Sequence, residues 1–428
     1  MIKSRPITRV LTRVWTLTVL LFGSMLYAYG DLDNPATEGT FYWLYKDILV
    51  ILIGGLIIVL AGKERIPKES FVWLVFYFLL ATYVFIYFAV LGEGVAHTYL
   101  KIFKNGFIYI GFSVLISSYV LKVEGTDYLI KVVLESLLIA FVVSVLLFWF
   151  SPIQSNTGRL FGTFGSPNSA GFAAGFAIAL VFVSKNFIGS WRVRERLALL
   201  LAFTVLALSA SIGSIIGVLF FAYAMFVGKS PSVLRSAVAT FLVLFAILFS
   251  SLCSYFIWLR NPSALEAEVY ARIISIVSQG AENDSIAIRL KDYLISLSMS
   301  CDDSRILPSI FGCLPSDDFR RFDSALFSVV FNFGYIVAFI FLFLAFYPVF
   351  FTLINKKNKN AVHQKTGTEL YKYQHIQPLI YFMITFVPIN FILQHSFDVF
   401  PTNFMYAILF SIFYASTSRN LSYKRSNS

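Results

Sequence analysis

Residues 158–174 read GRLFGTFGSPNSAGFAA and combine a single arginine, Arg159, with a glycine-rich turn. They lie between two segments that are apolar enough to cross a lipid bilayer. A transmembrane helix needs no such turn, and an arginine near the hydrocarbon costs free energy. The simplest structural explanation is a snorkelling arginine beside a flexible connector. The alternative is a binding site at one face of a membrane, and the rest of the chain bears on that choice.

The composition of the chain indicates a polytopic membrane protein. Of its 428 residues, 58% are hydrophobic and 13% are charged, and the mean hydropathy is +0.76. A soluble domain does not bury so large an apolar fraction. The net charge of +11 does not indicate nucleic acid, because the cations lie mostly in short connectors between apolar segments. We therefore expect a lipid bilayer, and no nucleic acid, as a partner.

About twelve apolar segments are long enough to cross the hydrocarbon core, which takes about 20 helical residues. They lie near 14–29, 47–61, 71–91, 104–121, 128–149, 170–184, 197–210, 213–227, 236–258, 325–353, 378–393 and 404–416. The short pair around residues 197–227 predicts either a tight helical hairpin or one broken helix. The predicted fold is all-α, with about 12 transmembrane helices in a single integral membrane domain over residues 1–428.

The distribution of Lys and Arg predicts the orientation of these spans. With both termini in the cytoplasm, the cytoplasmic segments hold 23 Lys and Arg, against 4 in the short outer connectors. Another 7 lie in the long outer loop 259–324, and long loops report poorly on orientation. The pattern therefore predicts cytoplasmic termini and places residues 150–170 on the outer face, together with the long loop.

The long outer loop 259–324, between the ninth and tenth predicted spans, is predicted to be partly helical. An apolar residue recurs every four positions, at Leu265, Val269, Ile273 and Val277. This stripe is typical of a helix on the membrane surface, and a second amphipathic helix is predicted over residues 284–298. Whether Cys301 and Cys313 form a disulfide is open, because their spacing alone does not decide it.

The functional side chains that recur on the predicted outer face are arginines. The sequence contains no phosphate-binding GxxxxGK, no CxxC pair and no HExxH, so it predicts no metal site. The arginines on the predicted outer face are Arg159, Arg260, Arg272, Arg289, Arg305, Arg320 and Arg321. A guanidinium matches the oxygens of phosphate or pyrophosphate with two parallel hydrogen bonds. The pattern favours a phosphate-bearing ligand such as a lipid headgroup.

Three landmarks resemble the O-antigen polymerase and ligase superfamily. Residues 159–168, RLFGTFGSPN, resemble its Arg-x-x-Gly-Thr-Phe-x-x-Pro-Asn signature. Residues 208–214, LSASIGS, resemble its short Ser-Arg-Gly turn, although the arginine is missing. Residues 323–334, DSALFSVVFNFG, follow Gly312 and are similar to the end of its long outer loop. The ligase branch carries a histidine where this chain has Asp323, so the resemblance is closest to a Wzy-type polymerase.

The resemblance implies a reaction. A Wzy-type polymerase is expected to move a growing glycan from undecaprenyl pyrophosphate onto the next carrier-linked repeat unit. The reaction is expected at the periplasmic face of the bacterial inner membrane, without a metal or cofactor. A chain-length regulator protein is a possible partner. Because the broken bond releases a pyrophosphate, the site needs cations on the leaving oxygen and a base near the acceptor hydroxyl.

These demands assign roles to the outer residues. The expected pyrophosphate ligands are Arg159, Arg289 and one of Arg320 and Arg321. The expected catalytic base is Asp323, and His395 in the last outer loop is the alternative. The backbone at Gly162 and Gly165 is expected to approach the substrate closely. Asn168 is expected to shape the turn or to bind a sugar hydroxyl.

Three other functions compete with a polymerase. An O-antigen ligase shares the superfamily landmarks. A flippase or other transporter of lipid-linked oligosaccharides also has about twelve spans, but charged residues inside spans and repeated halves are expected of it. Glu135 is the clear charged exception in this chain, and the halves do not match. A non-catalytic scaffold would have no reason to concentrate arginines beside glycine turns.

Overall fold

The computed structural model describes residues 5–22, 44–61, 68–91, 105–150, 159–188, 192–227, 324–362, 375–393 and 401–417, together with residues 294 and 312. Within these ranges the chain is helical and contains no β-strand. The predicted span 236–258, the apolar stripe at 265–277, nearly all of the predicted helix 284–298 and the two loop cysteines lie outside the described residues.

Eleven helices follow one another through the described ranges. They are α1 (Arg5–Leu17, extended by a π-helical turn Thr18–Phe22), α2 (Leu44–Ala61), α3 (Val72–Leu91, preceded by a 3₁₀ turn Lys68–Phe71), α4 (Ser113–Glu124, preceded by a π-helical segment Asn105–Phe112), α5 (Thr126–Phe150), α6 (Pro167–Ile188), α7 (Val193–Ser209), α8 (Ile212–Val227), α9 (Ala325–Val362), α10 (His375–Leu393, with a π-helical segment Phe382–Phe386) and α11 (Thr402–Thr417).

The helices make the chain a multi-pass α-helical membrane protein, as its hydropathy predicts. Among the described residues, six helical ranges are long and apolar enough to cross a membrane, namely Lys68–Ile86, Gly106–Glu124, Thr126–Phe150, Pro167–Lys185, Leu326–Phe350 and His375–Leu393. Large apolar side chains on the outside of the bundle suit contact with lipid, since Val59 is 76% exposed and Phe85 is 74% exposed. The count of twelve spans and their orientation stay predictions.

Two predicted spans differ from the helices in their bounds. The first helix begins at Arg5 rather than near residue 14, because it buries a stripe of threonines that hydropathy counts as polar. Their hydroxyls donate to carbonyls of the same helix, which satisfies them inside the bundle, as for Thr12 to Thr8 at 2.7 Å. The tenth span is bent at Gly334, where φ is +81°, so residues 325–333 and 335–362 take different directions.

Helix α11 is the central helix of the described bundle. Every residue from 401 to 415 is buried, and the helix packs against α4, α6 and α9. Phe410 stacks on Trp73 of α3 with ring centroids 4.8 Å apart, and Tyr406 contacts Phe172 of α6 at 4.7 Å. The N-terminus of α11 therefore lies inside the bundle rather than on its surface.

Ion pairs gather segments that the charge pattern predicts on one side. Arg9 Nε of α1 donates to Glu124 at the end of α4, at 2.7 Å. Arg194 of α7 donates to Glu135 of α5 at 3.1 Å and also pairs with its neighbour Glu195. Glu135, the charged exception among the predicted spans, is thus paired near the same end of the bundle. The alternation of the spans, and which end of the bundle faces the cytoplasm, stay predictions.

Replacing Arg194 with methionine is expected to destabilise the protein by about 2–3 kcal/mol, because the buried Glu195 carboxylate loses its charged partner and keeps only the hydrogen bond from the Ser184 hydroxyl. The double variant Arg194→Met/Glu195→Gln should recover most of the loss. Arg196→Met, at an exposed position of the same helix, is the matched control and should have little effect. Thermal unfolding of the purified protein in detergent measures all three, and an equal loss for Arg196→Met would contradict the role of this pair.

Candidate functional site

The segment that carries Arg159 is an ordered turn packed into the bundle. It contains a 3₁₀ turn, Gly162–Phe164, in which Phe164 N–H donates to Phe161 O at 2.9 Å. Gly162 and Gly165 have φ angles of +49° and +72°, which L side chains rarely adopt. The residues from 160 to 164 are buried, whereas Arg159 is partly exposed. The flexible connector of the simplest explanation is therefore not what the chain forms here.

Ser144 of α5 holds this turn in place. Its hydroxyl accepts from Thr163 N–H at 3.0 Å and lies 3.2 Å from the Thr163 hydroxyl. A Cβ at Gly162 would lie 2.2 Å from the Ser144 side chain and 2.7 Å from its Cα. The missing side chain at Gly162 is thus required by the approach of α5. A role for Gly162 and Gly165 in binding substrate stays a prediction.

The Ser-Pro-Asn part of the motif starts helix α6. The Ser166 hydroxyl accepts from Ser169 N–H at 3.1 Å, and Ser166 O accepts from Ala170 N–H at 3.0 Å. This is an N-cap by serine with proline at the first helical position, where its missing N–H is not needed. Asn168 follows in the first turn and is partly exposed. A helix N-terminus therefore begins eight residues after Arg159.

Arg159 joins the first motif to the second. Its Nε donates to Ser209 O at 3.0 Å and its Nη2 to Ala210 O at 3.4 Å. The backbone runs alongside as well, since Leu160 N–H donates to Leu208 O at 2.9 Å. These carbonyl contacts fix the direction of the guanidinium, and they leave its positive charge intact because both acceptors are neutral. Two stretches about fifty positions apart therefore form one turn-on-turn contact.

The second motif is a two-residue break between two helices, and the choice between a hairpin and one broken helix stays open. Helix α7 ends at Ser209, Ala210 follows with φ +47°, and α8 begins at Ile212. Within the described residues Ala210 is the only non-glycine residue in this left-handed region. Its conformation directs the carbonyls of Ser209 and Ala210 that hold Arg159.

Replacing Ala210 with glycine is expected to stabilise the protein by about 0.5–1 kcal/mol. The left-handed backbone costs an L residue about 1–2 kcal/mol, and the greater freedom of glycine in the unfolded chain offsets part of the gain. Ala207→Gly, in the last turn of α7, is the matched control and should destabilise by a similar amount. Thermal unfolding in detergent checks both signs, and a destabilised Ala210→Gly would contradict the strain at this turn.

A line of polar contacts continues from this turn to helix α10. The Ser211 hydroxyl donates to the Ser214 hydroxyl at 3.0 Å, which donates to Asn390 Oδ1 at 3.2 Å. The Asn390 amide in turn donates to Phe386 O at 2.9 Å. All three side chains are buried. The turn beside Arg159 is thus fixed to the part of α10 that precedes His395.

The start of α9 meets the same part of α10. The Ser324 hydroxyl donates to Phe391 O at 2.8 Å and accepts from Phe327 N–H at 3.3 Å, which caps residues 325–333. Gly312, from the long loop, lies directly against α9, where a Cβ would be 2.3 Å from Asn332 O. All three landmarks of the predicted site therefore connect through described contacts, from Arg159 through Asn390 and Phe391 to Ser324.

The other predicted site residues cannot be placed. Arg289, Arg320, Arg321, Asp323 and His395 lie outside the described residues, so their roles stay predictions. Among the side chains that the structure does describe, no group of three or more His, Cys, Asp and Glu is arranged to hold a metal ion.

Ser144, Asn390 and Ser324 are the connecting residues that sequence reasoning missed. Ser144 and Asn390 each have a sequence signal that could have identified them. Ser144 is the one polar residue in the apolar run 137–150, and Asn390 interrupts the apolar run 386–393. Because buried polar groups are nearly always hydrogen-bonded, an isolated polar residue in a span predicts a specific partner.

Comparisons with known proteins add no relative to these observations. No model of a protein family matches the chain, and no curated protein matches it significantly.

Proposed function

We propose that this protein polymerises undecaprenyl-pyrophosphate-linked oligosaccharide repeat units into a surface polysaccharide at the periplasmic face of a bacterial inner membrane. The product would be an O-antigen, a capsule or an exopolysaccharide. The observation that carries the proposal is the contact of Arg159 with the Ser209 and Ala210 carbonyls. It joins two motifs that resemble one superfamily and that the sequence alone leaves unconnected.

In this proposal Arg159 stabilises the departing pyrophosphate. Negative charge develops on the leaving oxygen, and a cation that is already oriented favours that state over the ground state. The carbonyls of Ser209 and Ala210 orient the guanidinium before substrate binds. Arg289 and one of Arg320 and Arg321 are the proposed further cations, supplied by the long loop 259–324. Asn168, at the start of α6, is the proposed contact to a sugar hydroxyl.

Asp323 is the proposed base for the acceptor hydroxyl, and His395 is the alternative. Support comes from their neighbours in the sequence, because Ser324 contacts Phe391, which lies four positions before His395. The informative change is Asp323→Asn, which keeps the shape of the side chain and removes its basicity. Normal polymer from that variant would move the base role to His395, and His395→Gln would then be the next variant to measure.

Deletion of the gene, followed by gel analysis of surface glycans, tests the reaction. A polymerase mutant loses the ladder and keeps a single repeat unit transferred to its acceptor. A ligase mutant accumulates polymer on the lipid carrier, and a flippase mutant accumulates repeat units that face the cytoplasm. Either of the last two results would replace the proposed function, and an unchanged ladder would remove it.

A further inference from the structure

The N-terminus of the central helix α11 is built unlike an ordinary buried helix end. Thr402 and Asn403 form its start, and both side chains are 0% exposed. Asn403 Oδ1 accepts from Phe404 N–H at 2.9 Å, which holds the amide nitrogen of the same side chain beside the first turn. Phe404 N–H also donates to Pro401 O at 3.1 Å, and Met405 N–H donates to the same oxygen at 3.4 Å. What the helix end presents inside the bundle is therefore its two polar side chains.

Several buried polar groups collect at this helix end. Thr402 Oγ1 and Asn403 Nδ2 have no hydrogen-bond partner in the part of the chain that the structure describes. The same holds for Nε1 of the buried Trp15, whose ring lies 5.0 Å from the ring of Phe404. An unsatisfied buried group of this kind is destabilising, and native proteins leave few of them. Two of the three groups can only donate, and the hydroxyl can also donate.

This helix end is a neighbour of the candidate site. Tyr406, one turn further along α11, contacts Phe172, which lies one turn inside α6. The Thr18–Phe22 turn, which directly follows the α1 helix that carries Trp15, packs against the Gly162–Phe164 turn. The N-termini of α6 and α11 therefore lie side by side, next to the turn that begins with Arg159.

We propose that Thr402 and Asn403 bind an oxyanion at the N-terminus of α11, with Trp15 as a third donor. Partial positive charge at a helix N-terminus and a set of unpaired donors both favour a ligand with negatively charged oxygens. The oxyanion has two candidate sources, the pyrophosphate of the lipid carrier and the carboxylate of an acidic sugar in the repeat unit. Its assignment to a lipid-linked glycan rests on the proposed function, whereas the binding of an oxyanion does not.

Binding to the full-length protein in nanodiscs tests the proposal. The probes are inorganic pyrophosphate, farnesyl pyrophosphate and glucuronate, with farnesol and glucose as uncharged counterparts. Thr402→Val and Asn403→Asp keep the shape of each side chain, and Asn403→Asp also keeps the acceptor for Phe404 N–H. Each variant is expected to weaken the binding of the charged probe about tenfold or more, since a hydrogen bond to a charged group is lost. Thr402→Ser should restore binding.

A structural role predicts a different result, so the stability of the variants is measured with the same samples. Because Thr402 Oγ1 lacks a partner among the described residues, Thr402→Val should keep or raise the unfolding midpoint. The matched control is Thr385→Val, whose hydroxyl donates to Tyr381 O of its own helix at 2.6 Å. It should leave binding of every probe unchanged.

The outcomes separate this site from the proposed function. Preference for the two pyrophosphates assigns the site to the lipid carrier, and preference for glucuronate assigns it to an acidic sugar. If the wild-type protein binds none of the three charged probes, or if Thr402→Val and Asn403→Asp bind them as the wild type does, the site is overturned. The two proposals can also fail separately. If the variants abolish probe binding but deletion of the gene leaves the glycan ladder intact, the oxyanion site is retained and the polymerase function is rejected.

Discussion

Polymer is expected to disappear when Arg159 is replaced by alanine, with single repeat units left in its place. Removal of one preorganised donor from a site of developing negative charge lowers the rate by about 100-fold or more, and that loss is enough to end chain growth. The protein should remain in the membrane at its normal level, because Arg159 is partly exposed and the turn keeps its other contacts, from Leu160 N–H to Leu208 O and from Thr163 N–H to the Ser144 hydroxyl. Gel analysis of surface glycans, with immunoblotting of membranes, measures both quantities.

Two further variants sharpen this prediction. Arg159→Lys keeps the charge but has one nitrogen in place of the fork that reaches both carbonyls, so we expect short chains in reduced amount. Arg196→Ala removes an exposed arginine from the other end of α7 and should give a normal ladder. Wild-type chain lengths from Arg159→Ala would exclude it as a catalytic cation. A fall in the unfolding midpoint that parallels the loss of polymer would assign Arg159 to the turn alone.

Gly162→Ala is expected to destabilise the protein by about 3–5 kcal/mol, through overpacking and a left-handed backbone together. The added Cβ would lie 2.2 Å from the Ser144 side chain, at a residue whose φ is +49°. The turn would have to move away from α5, and Arg159 would move with it. We therefore expect a lower thermal midpoint, weak accumulation in the membrane and no polymer.

A second-site change distinguishes packing from chemistry at Gly162. Ser144→Gly removes the atoms 2.2 Å from the new Cβ but leaves Ser144 Cα at 2.7 Å, so the double variant should recover part of the stability. Gly125→Ala has a positive φ of +91° but no neighbouring atom within 4 Å, and it serves as the control for backbone strain without a clash. An equal effect at both glycines would contradict the role of Ser144.

Arg159 can be recognised as a candidate site residue from the sequence, whereas Thr402 cannot. Arg159 stands out in the sequence because a cation beside glycines is rare between apolar segments. Thr402 and Asn403 do not stand out, since a polar pair before an apolar helix is an ordinary start signal. Only the packing of neighbouring helices around α11 reveals that both side chains are buried and that a polar atom on each lacks a partner among the described residues.

Hydropathy alone determined that this chain is a multi-pass helical membrane protein, because every backbone group in lipid must be bonded within its own helix. For the same reason it placed the described helices, apart from the start of α1, the bend at Gly334 and the extension of α9 beyond residue 353 to Val362. Tertiary structure alone decided what lies beside Arg159. The contact joins the carbonyls of Ser209 and Ala210 to a guanidinium about fifty positions away, through a left-handed residue that local preference does not predict. Such a contact depends on how the helices pack, and sequence periodicity carries no record of it.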